Sequence, residues 1–264
     1  MAIIDRHERR RRVLSALRVS VVTLTLSLAG VLGLSAQSAR DIVDQVDRLL
    51  RGESSWSRVT MEIETEHWSR SLGLEVWSLG VDYAIVRVLE PLREAGTATL
   101  MADEEVWNYL PRVDRTIKVP PSLMMGSWMG SHFTHDDLVK ESRMIEDYDI
   151  EIGFEGDRDG VTVWEFELTP KPEAPVVWGR VVQQVRKDDM MPTWARYYDE
   201  DGGLVRTIRF GELEVHDGRL IPTTLTLRPE DNPSESTTVT YHEIDFDIDI
   251  DVDFFSLRNL RARR

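Results

Sequence analysis

With 264 residues, a formal charge of −15 and no cysteine, the chain is long enough for one large or two small domains and must hold its fold without disulfides. The acidic excess excludes a surface built to bind DNA or RNA, or to grip anionic lipid headgroups through basic residues. The lack of cysteine also excludes a thiol nucleophile and a lipid-modified N-terminal cysteine.

The first 36 residues have the layout of a secretory signal peptide. Arg6, Arg9, Arg10, Arg11, Arg12 and Arg18 make a basic start, Val19 to Leu34 carry no charge, and small residues follow at Ser35, Ala36, Ser38 and Ala39. Cleavage is expected after Ala36, with Ser38 the second choice. The alternative is an uncleaved anchor, for which the uncharged run is short. Arg10-Arg11 leaves the export route open between the general and the twin-arginine pathway. Six arginines against Asp5 and Glu8 give this leader a net charge of +4, so removing it takes the chain from −15 to −19. Residues 37–264 are expected to form a single exported domain.

Ile42, Val43, Val46, Leu49 and Leu50 recur at helical spacing, and Gly52 can end that helix. From Trp56 onward the pattern changes to β. Val59, Met61 and Ile63 alternate with Arg58, Thr60 and Glu62, and Leu72, Leu74 and Val76 alternate with Gly73, Glu75 and Trp77. Tyr83 to Leu89 and Ala95 to Met101 continue the series. After residue 148, strands are expected over Asp149–Glu155, Val161–Thr169, Val176–Lys187, Thr193–Asp199, Val205–His216, Arg219–Arg228 and Ser236–Asp245. Asp217-Gly218 is the strongest hairpin signal. Strands this regular, with no helices between them, predict an antiparallel meander of about ten or eleven strands, enough for a large curved sheet or barrel.

The stretch from Glu105 to Leu138 organises the rest. Trp107, Tyr109 and Leu110 predict a strand, Pro111 to Asp114 a turn, and Arg115 to Val119 a returning strand. Pro120 and Pro121 stop further pairing because neither has an amide donor. Leu123, Met124, Met125, Trp128, Met129 and Phe133 then lie among Gly126, Ser127, Gly130 and Ser131. Flexible apolar side chains among small residues fit a binding segment or lid, with Gly126 and Gly130 as hinges, and they also fit a buried loop that closes a core. A short helix is expected over Asp136–Met144 with Thr134 as its N-cap.

Motifs for catalysis are absent. The chain has no Gly-x-Ser-x-Gly elbow and no glycine-rich phosphate loop between a strand and a helix, so neither a catalytic residue nor a cofactor is assigned. His132, His135, Asp136 and Asp137 have spacing that a metal site can use, but no second His/Cys cluster accompanies them, and no metal is expected. Asp245, Asp247, Asp249, Asp251 and Asp253 alternate with apolar residues and include no glycine. The run therefore reads as a half-buried or edge strand rather than a calcium loop.

Trp107-Asn-Tyr-Leu-Pro-Arg-Val-Asp-Arg-Thr, followed by Met125-Gly-Ser-Trp-Met-Gly-Ser-His-Phe-Thr-His-Asp-Asp-Leu138, resembles the signature of the bacterial outer-membrane lipoprotein-sorting protein family. That family is related to the periplasmic lipoprotein carrier LolA. His132 and His135 stand where it usually has Asp and Tyr. Met191-Pro192 and Phe255-Ser-Leu-Arg-Asn-Leu260 fit in order. The resemblance implies a mainly β fold, an open and strongly curved antiparallel half-barrel with helices over its mouth. It implies a periplasmic carrier or chaperone, not an enzyme, whose apolar concavity takes acyl chains of lipoproteins or lipid. It further implies work beside inner-membrane export systems, sometimes of the RND type. A non-carrying accessory subunit of such an export system is the alternative. Trp107, Tyr109, Leu123, Met124, Met125, Trp128, Met129 and Phe133 are the residues expected to line or gate the cavity.

Overall fold

The strands alternate apolar and polar side chains over long runs, and they assemble as that pattern requires into one antiparallel sheet. The computed structural model describes residues 38–140 and 144–262, so the expected leader and its cleavage site lie outside the described residues. The chain opens with α1 (Ala39–Arg51). An outward meander follows: β1 (Ser54–Glu64), β2 (Ser69–Leu79), β3 (Tyr83–Glu90), β4 (Ala98–Ala102), β5 (Glu105–Leu110) and β6 (Arg115–Lys118). After α2 (His135–Lys140) and α3 (Met144–Asp147), a second meander returns. It comprises β7 (Tyr148–Arg158), β8 (Val161–Pro170), β9 (Arg180–Arg186), β10 (Pro192–Tyr198), β11 (Leu204–His216), β12 (Arg219–Pro229) and β13 (Ser236–Phe246). A last helical turn, α4 (Leu257–Leu260), follows it.

The strand order is β6-β5-β4-β3-β2-β1-β13-β12-β11-β10-β9-β8-β7, an open, curved sheet whose two meanders join where β1 pairs with β13. The expected half-barrel is therefore the observed architecture. There are thirteen strands rather than about ten or eleven: every segment read as a strand pairs, including Ala95–Met101 and Arg115–Val119, which hold the short β4 and β6.

Register shows how the core is shared. Leu72, Met61, Val239, Leu225 and Phe210 stand opposite one another across β2, β1, β13, β12 and β11, so one apolar face runs through both meanders. Over β7–β12, α1 covers that face by burying Ile42, Val43 and Val46 against Phe166, Leu168, Val181, Tyr197, Ile208 and Leu227. Gly52, in a left-handed conformation (φ 70°), ends the helix and donates its amide to the Arg48 carbonyl at 2.9 Å. The opposite face is covered over β1–β5 by the C-terminal segment. There Phe255 and Leu260 pack on Trp77, Ile85, Leu100 and Tyr109, and Arg87 donates to the Asn259 carbonyl at 2.8 Å.

Three local expectations need correction or refinement. The aspartate run does not continue β13. The sheet ends at Phe246, and Asp247 takes a left-handed conformation (φ 52°) while its carboxylate accepts the Glu53 amide at 2.9 Å. Beyond it Ile248 and Ile250 leave the ladder to pack beside the C-terminal segment. The strand expected from Val176 begins only at Arg180. Gly179 lies so close to Asp199 that a Cβ there would meet the Asp199 carbonyl oxygen at 2.4 Å. The helix expected over Asp136–Met144 consists in the described residues of α2 and α3, with 141–143 outside them. The Asp217-Gly218 hairpin forms as expected, with φ 46° and 76°, between β11 and β12.

Candidate functional site

β6 and β7 are the two edges of the sheet, so residues 119–147 must connect one edge to the other. This connection contains the methionine-rich stretch, and it crosses the same apolar face that α1 covers. Its path follows from local chemistry. Pro120 and Pro121 end pairing and start a single 3-10 turn over Pro121–Leu123. Ser127 to Thr134 then form a small hairpin. Trp128 and Phe133 share a backbone hydrogen bond of 2.8 Å, and the turn between them carries Met129 and Gly130 at φ 53° and 80°. Gly130 supplies a backbone conformation that other residues adopt at a cost. At Gly126 a Cβ would lie 3.0 Å from the Leu123 carbonyl oxygen, so glycine allows a close approach there.

Polar ties fasten this hairpin to both meanders. Thr134 caps α2: its Oγ1 accepts the Asp137 amide at 3.1 Å, and Asp137 Oδ2 accepts the Thr134 amide at 2.8 Å. The same buried carboxylate receives both terminal nitrogens of Arg206 from β11, each at 2.7 Å. The Arg206 guanidinium lies 4.4 Å from the Trp178 ring centre and 4.3 Å from that of Tyr197. Arg70 from β2 donates to the Met129 carbonyl at 2.8 Å and pairs with Glu94. His132 sits against Thr237 (Nδ1, 2.8 Å) and Glu235 (Nε2, 3.1 Å). The ring of His135 turns elsewhere, to the Gly126 carbonyl and Asn108. His132, His135 and Asp137 thus spend their donors and acceptors apart, and no cluster suited to a metal occurs among the described residues.

Two apolar cavities lie on this face. One, of about 300 Å³, is bounded by Thr97, Thr99, Asn108 and Leu110 of the outward meander and by Leu123, Trp128 and Met129 of the connection. The other, of about 160 Å³, lies beneath α1 between Val43, Val46 and Leu50 and the sheet residues Phe210 and Leu225. Asp47 borders the second, where burial pushes its carboxyl pKa up against the pull of Arg51.

The expected site residues divide among several environments. Leu123, Trp128 and Met129 line the larger cavity. Met124 packs beside it on Met101, Val106 and Val119. Phe133 bridges the apolar clusters of the two meanders. Met125 is 49 % exposed. Trp107 and Tyr109 do not line the cavity, and this corrects the expectation. Strand alternation in β5 sends Asn108 and Leu110 to the cavity, while Trp107 and Tyr109 face the C-terminal segment. Sequence reasoning also missed Asp137, Arg206 and the α1 residues of the smaller cavity. Asp137 was open to recognition as the fourth residue of a Thr-x-x-Asp capping pattern; Arg206 carries no local signal.

Glu235 gives the connection an acid-sensitive tie. The Glu66 amide and then His132 hold its carboxyl pKa below the ordinary 4.5. A carboxylate with a lowered folded pKa adds stability that is complete above its unfolded value and is lost as pH falls through the folded one. Acidification below about pH 4.5 is therefore expected to lower the thermal midpoint. The drop between pH 5 and pH 3 should be smaller in Glu235→Gln, as paired melts at the two pH values would read.

Comparison with known proteins places these features in context. A family model described as "Uncharacterized protein" matches residues 80–262. Among curated proteins none matches the sequence. The fold is similar to that of a DUF1329 family protein from Desulfovibrio piger, with 23 % identity, TM-score 0.75, and 84 % of this chain and 97 % of that chain covered. A domain assigned to an outer membrane lipoprotein-sorting protein from Vibrio parahaemolyticus is 20 % identical with TM-score 0.74, over 85 % and 98 % of the two chains. A LolA superfamily protein from Nitrosomonas europaea is 20 % identical with TM-score 0.72, over 84 % and 99 %.

Proposed function

The chain belongs to the family whose model matches residues 80–262 and has a LolA-like fold, and from that premise we propose that it is a periplasmic carrier or chaperone for acyl chains of lipoproteins or lipid. The observation that carries this reading is the shared face. α1, the connection between the edge strands and both apolar cavities all lie on the same side of the sheet. A cavity of about 300 Å³ falls at the lower end of the range for small-molecule pockets. Each methylene taken from water into such a space contributes about 0.8 kcal/mol, so one chain supplies enough energy for binding with no chemical step by the protein. The acidic exterior keeps a loaded carrier soluble and away from anionic bilayers. No described helix is long and apolar enough to cross a membrane.

A second reading, a non-carrying accessory subunit of an RND-type envelope exporter, draws on a different observation. Ile117, Leu123 and Met125 leave large apolar areas exposed around the mouth of the larger cavity, beside the unpaired edge of β6. Native mass spectrometry of protein purified from cells without detergent separates the two readings. Carriage predicts adducts with the mass of acylated molecules that a fluorescent fatty acid displaces. Adduct-free protein that also fails to bind the fatty acid would favour the accessory role.

A further inference from the structure

The opposite face of β8–β11 carries a polar groove of about 680 Å³ that carriage in the apolar cavities does not use. Register places Glu165, Gln184, Trp194 and Arg209 in a row across the four strands. Arg158, Arg186 and Arg196 line the same groove. In a chain with 47 acidic against 32 basic side chains, this groove gathers four arginines, with Asp159 and Glu165 among the residues that line it.

Two of the four are neutralised in place. Arg158 forks onto Glu165 at 2.9 and 3.4 Å, and Arg186 pairs with Asp188 and Asp189. The hydrogen bond from Arg158 holds the Glu165 carboxyl below its usual range. The Arg158 fork engages both its oxygens, and Gln184 also donates to Oε1 at 3.0 Å. The other two differ. Arg196 and Arg209 form no ion pair among the described residues. The Arg196 guanidinium lies 4.2 Å from the centre of the Trp194 ring, and this stacking limits its orientations. Trp194 stands directly opposite Arg209, so Arg196 and Arg209 are diagonal neighbours on adjacent strands, roughly 7–8 Å apart at the backbone. Side chains of arginine length reach a common point from that separation.

We infer that this groove binds a phosphate group, held between the guanidinium groups of Arg196 and Arg209 over the Trp194 platform. The two guanidinium groups, of which Arg196 also acts on the Glu165 carboxylate, offer positive charge to the roughly −1.5 to −2 of a phosphate monoester at neutral pH. Their planar forks suit its oxygens in the bidentate manner that lysine lacks. The phosphate can come from a soluble ester, or from a lipid headgroup where this patch of arginines meets a membrane against the repulsion of the acidic exterior.

Calorimetric titration of the full chain with inorganic phosphate and with pyrophosphate, at low ionic strength, tests the soluble source. Flotation with phosphatidylglycerol vesicles, against phosphatidylcholine vesicles as control, tests the headgroup. We expect saturable binding in at least one arm. We expect it to weaken at least tenfold in Arg196→Ala/Arg209→Ala and in Arg209→Glu, with an unchanged thermal midpoint and unchanged fatty-acid binding. Arg209 is exposed, so the charge reversal keeps the test valid if the double variant folds poorly. No binding in either arm, binding that both variants leave intact, or equal binding of the dicarboxylate glutarate would overturn the inference. Its failure leaves the carrier reading untouched, since the cavities lie on the other face.

Discussion

Replacing Arg206 by Met is expected to cost about 3–5 kcal/mol, the usual effect of leaving a buried charge without its partner. The Asp137 carboxylate is buried, and its donors among the described residues are the two Arg206 nitrogens and the Thr134 amide. Removing the guanidinium leaves this buried charge with the Thr134 amide as its one described donor. For a domain of this size the loss corresponds to a fall of roughly 6–20 °C in thermal midpoint. Neutralising both partners, as in Asp137→Asn/Arg206→Met, should recover much of it, because the penalty lies in the unpaired charge and not in the missing pair. The pair also ties the connection to β11, so the loss has a local component. Amides of Trp128, Ser131 and His135 should exchange faster with solvent in Arg206→Met than those of the central strands β1 and β13. If denaturant titration gives a loss under about 1 kcal/mol and exchange is unchanged, the pair does not hold the connection in place.

How much of this was legible in the sequence depends on the range of the interaction that determines each feature. Alternation in β1 and β2, the Asp217-Gly218 turn and the Thr134 cap are set by neighbours in the chain, and all three can be read there. A large curved antiparallel sheet or barrel followed from many strands without intervening helices, and the resemblance of residues 107–138 implied the open half-barrel. Features that depend on partners distant in sequence could not be read. Nothing near Arg206 indicates that it will meet Asp137 across 69 positions. The aspartate run has a strand's periodicity, yet it leaves the sheet because Asp247 finds the Glu53 amide, 194 positions away. Trp107 and Tyr109 look like binding residues by type, but their face depends on the C-terminal segment, which arrives only at the end of the chain. The cavity wall beneath α1 was hidden for the same reason. Val43 and Val46 announce a helix, and only the fold shows which strands they roof.

Trp128→Ala is expected to lower both stability and affinity for an acyl probe, the former by about 3–5 kcal/mol. From sequence, a lid tryptophan should have few core neighbours and its loss should leave the fold intact. The structure instead leaves Trp128 only 6 % exposed, packed in one cluster with Val59, Met61, Leu74 and Val88, and its Nε1 donates to Thr99 Oγ1 at 3.1 Å. Truncation opens a void in that cluster and takes a partner from a buried hydroxyl. The same side chain walls the larger cavity, so a fall in probe affinity in Trp128→Ala alone does not show whether the cavity binds anything. Two companion variants separate the effects. Trp128→Phe keeps most of the volume and gives up the hydrogen bond, a loss of roughly 0.5–1.5 kcal/mol, and should bind the probe nearly as well as the parent. Leu123 lines the same cavity but is 58 % exposed, so Leu123→Ala should stay within about 0.5 kcal/mol of the parent while binding the probe more weakly. Fluorescence titration and denaturation on each of the three variants give six numbers to set against the parent. If Leu123→Ala binds as well as the parent while Trp128→Ala loses both stability and affinity, Trp128 acts only as a core residue. The apolar space beneath the connection would then not be where the acyl chain sits.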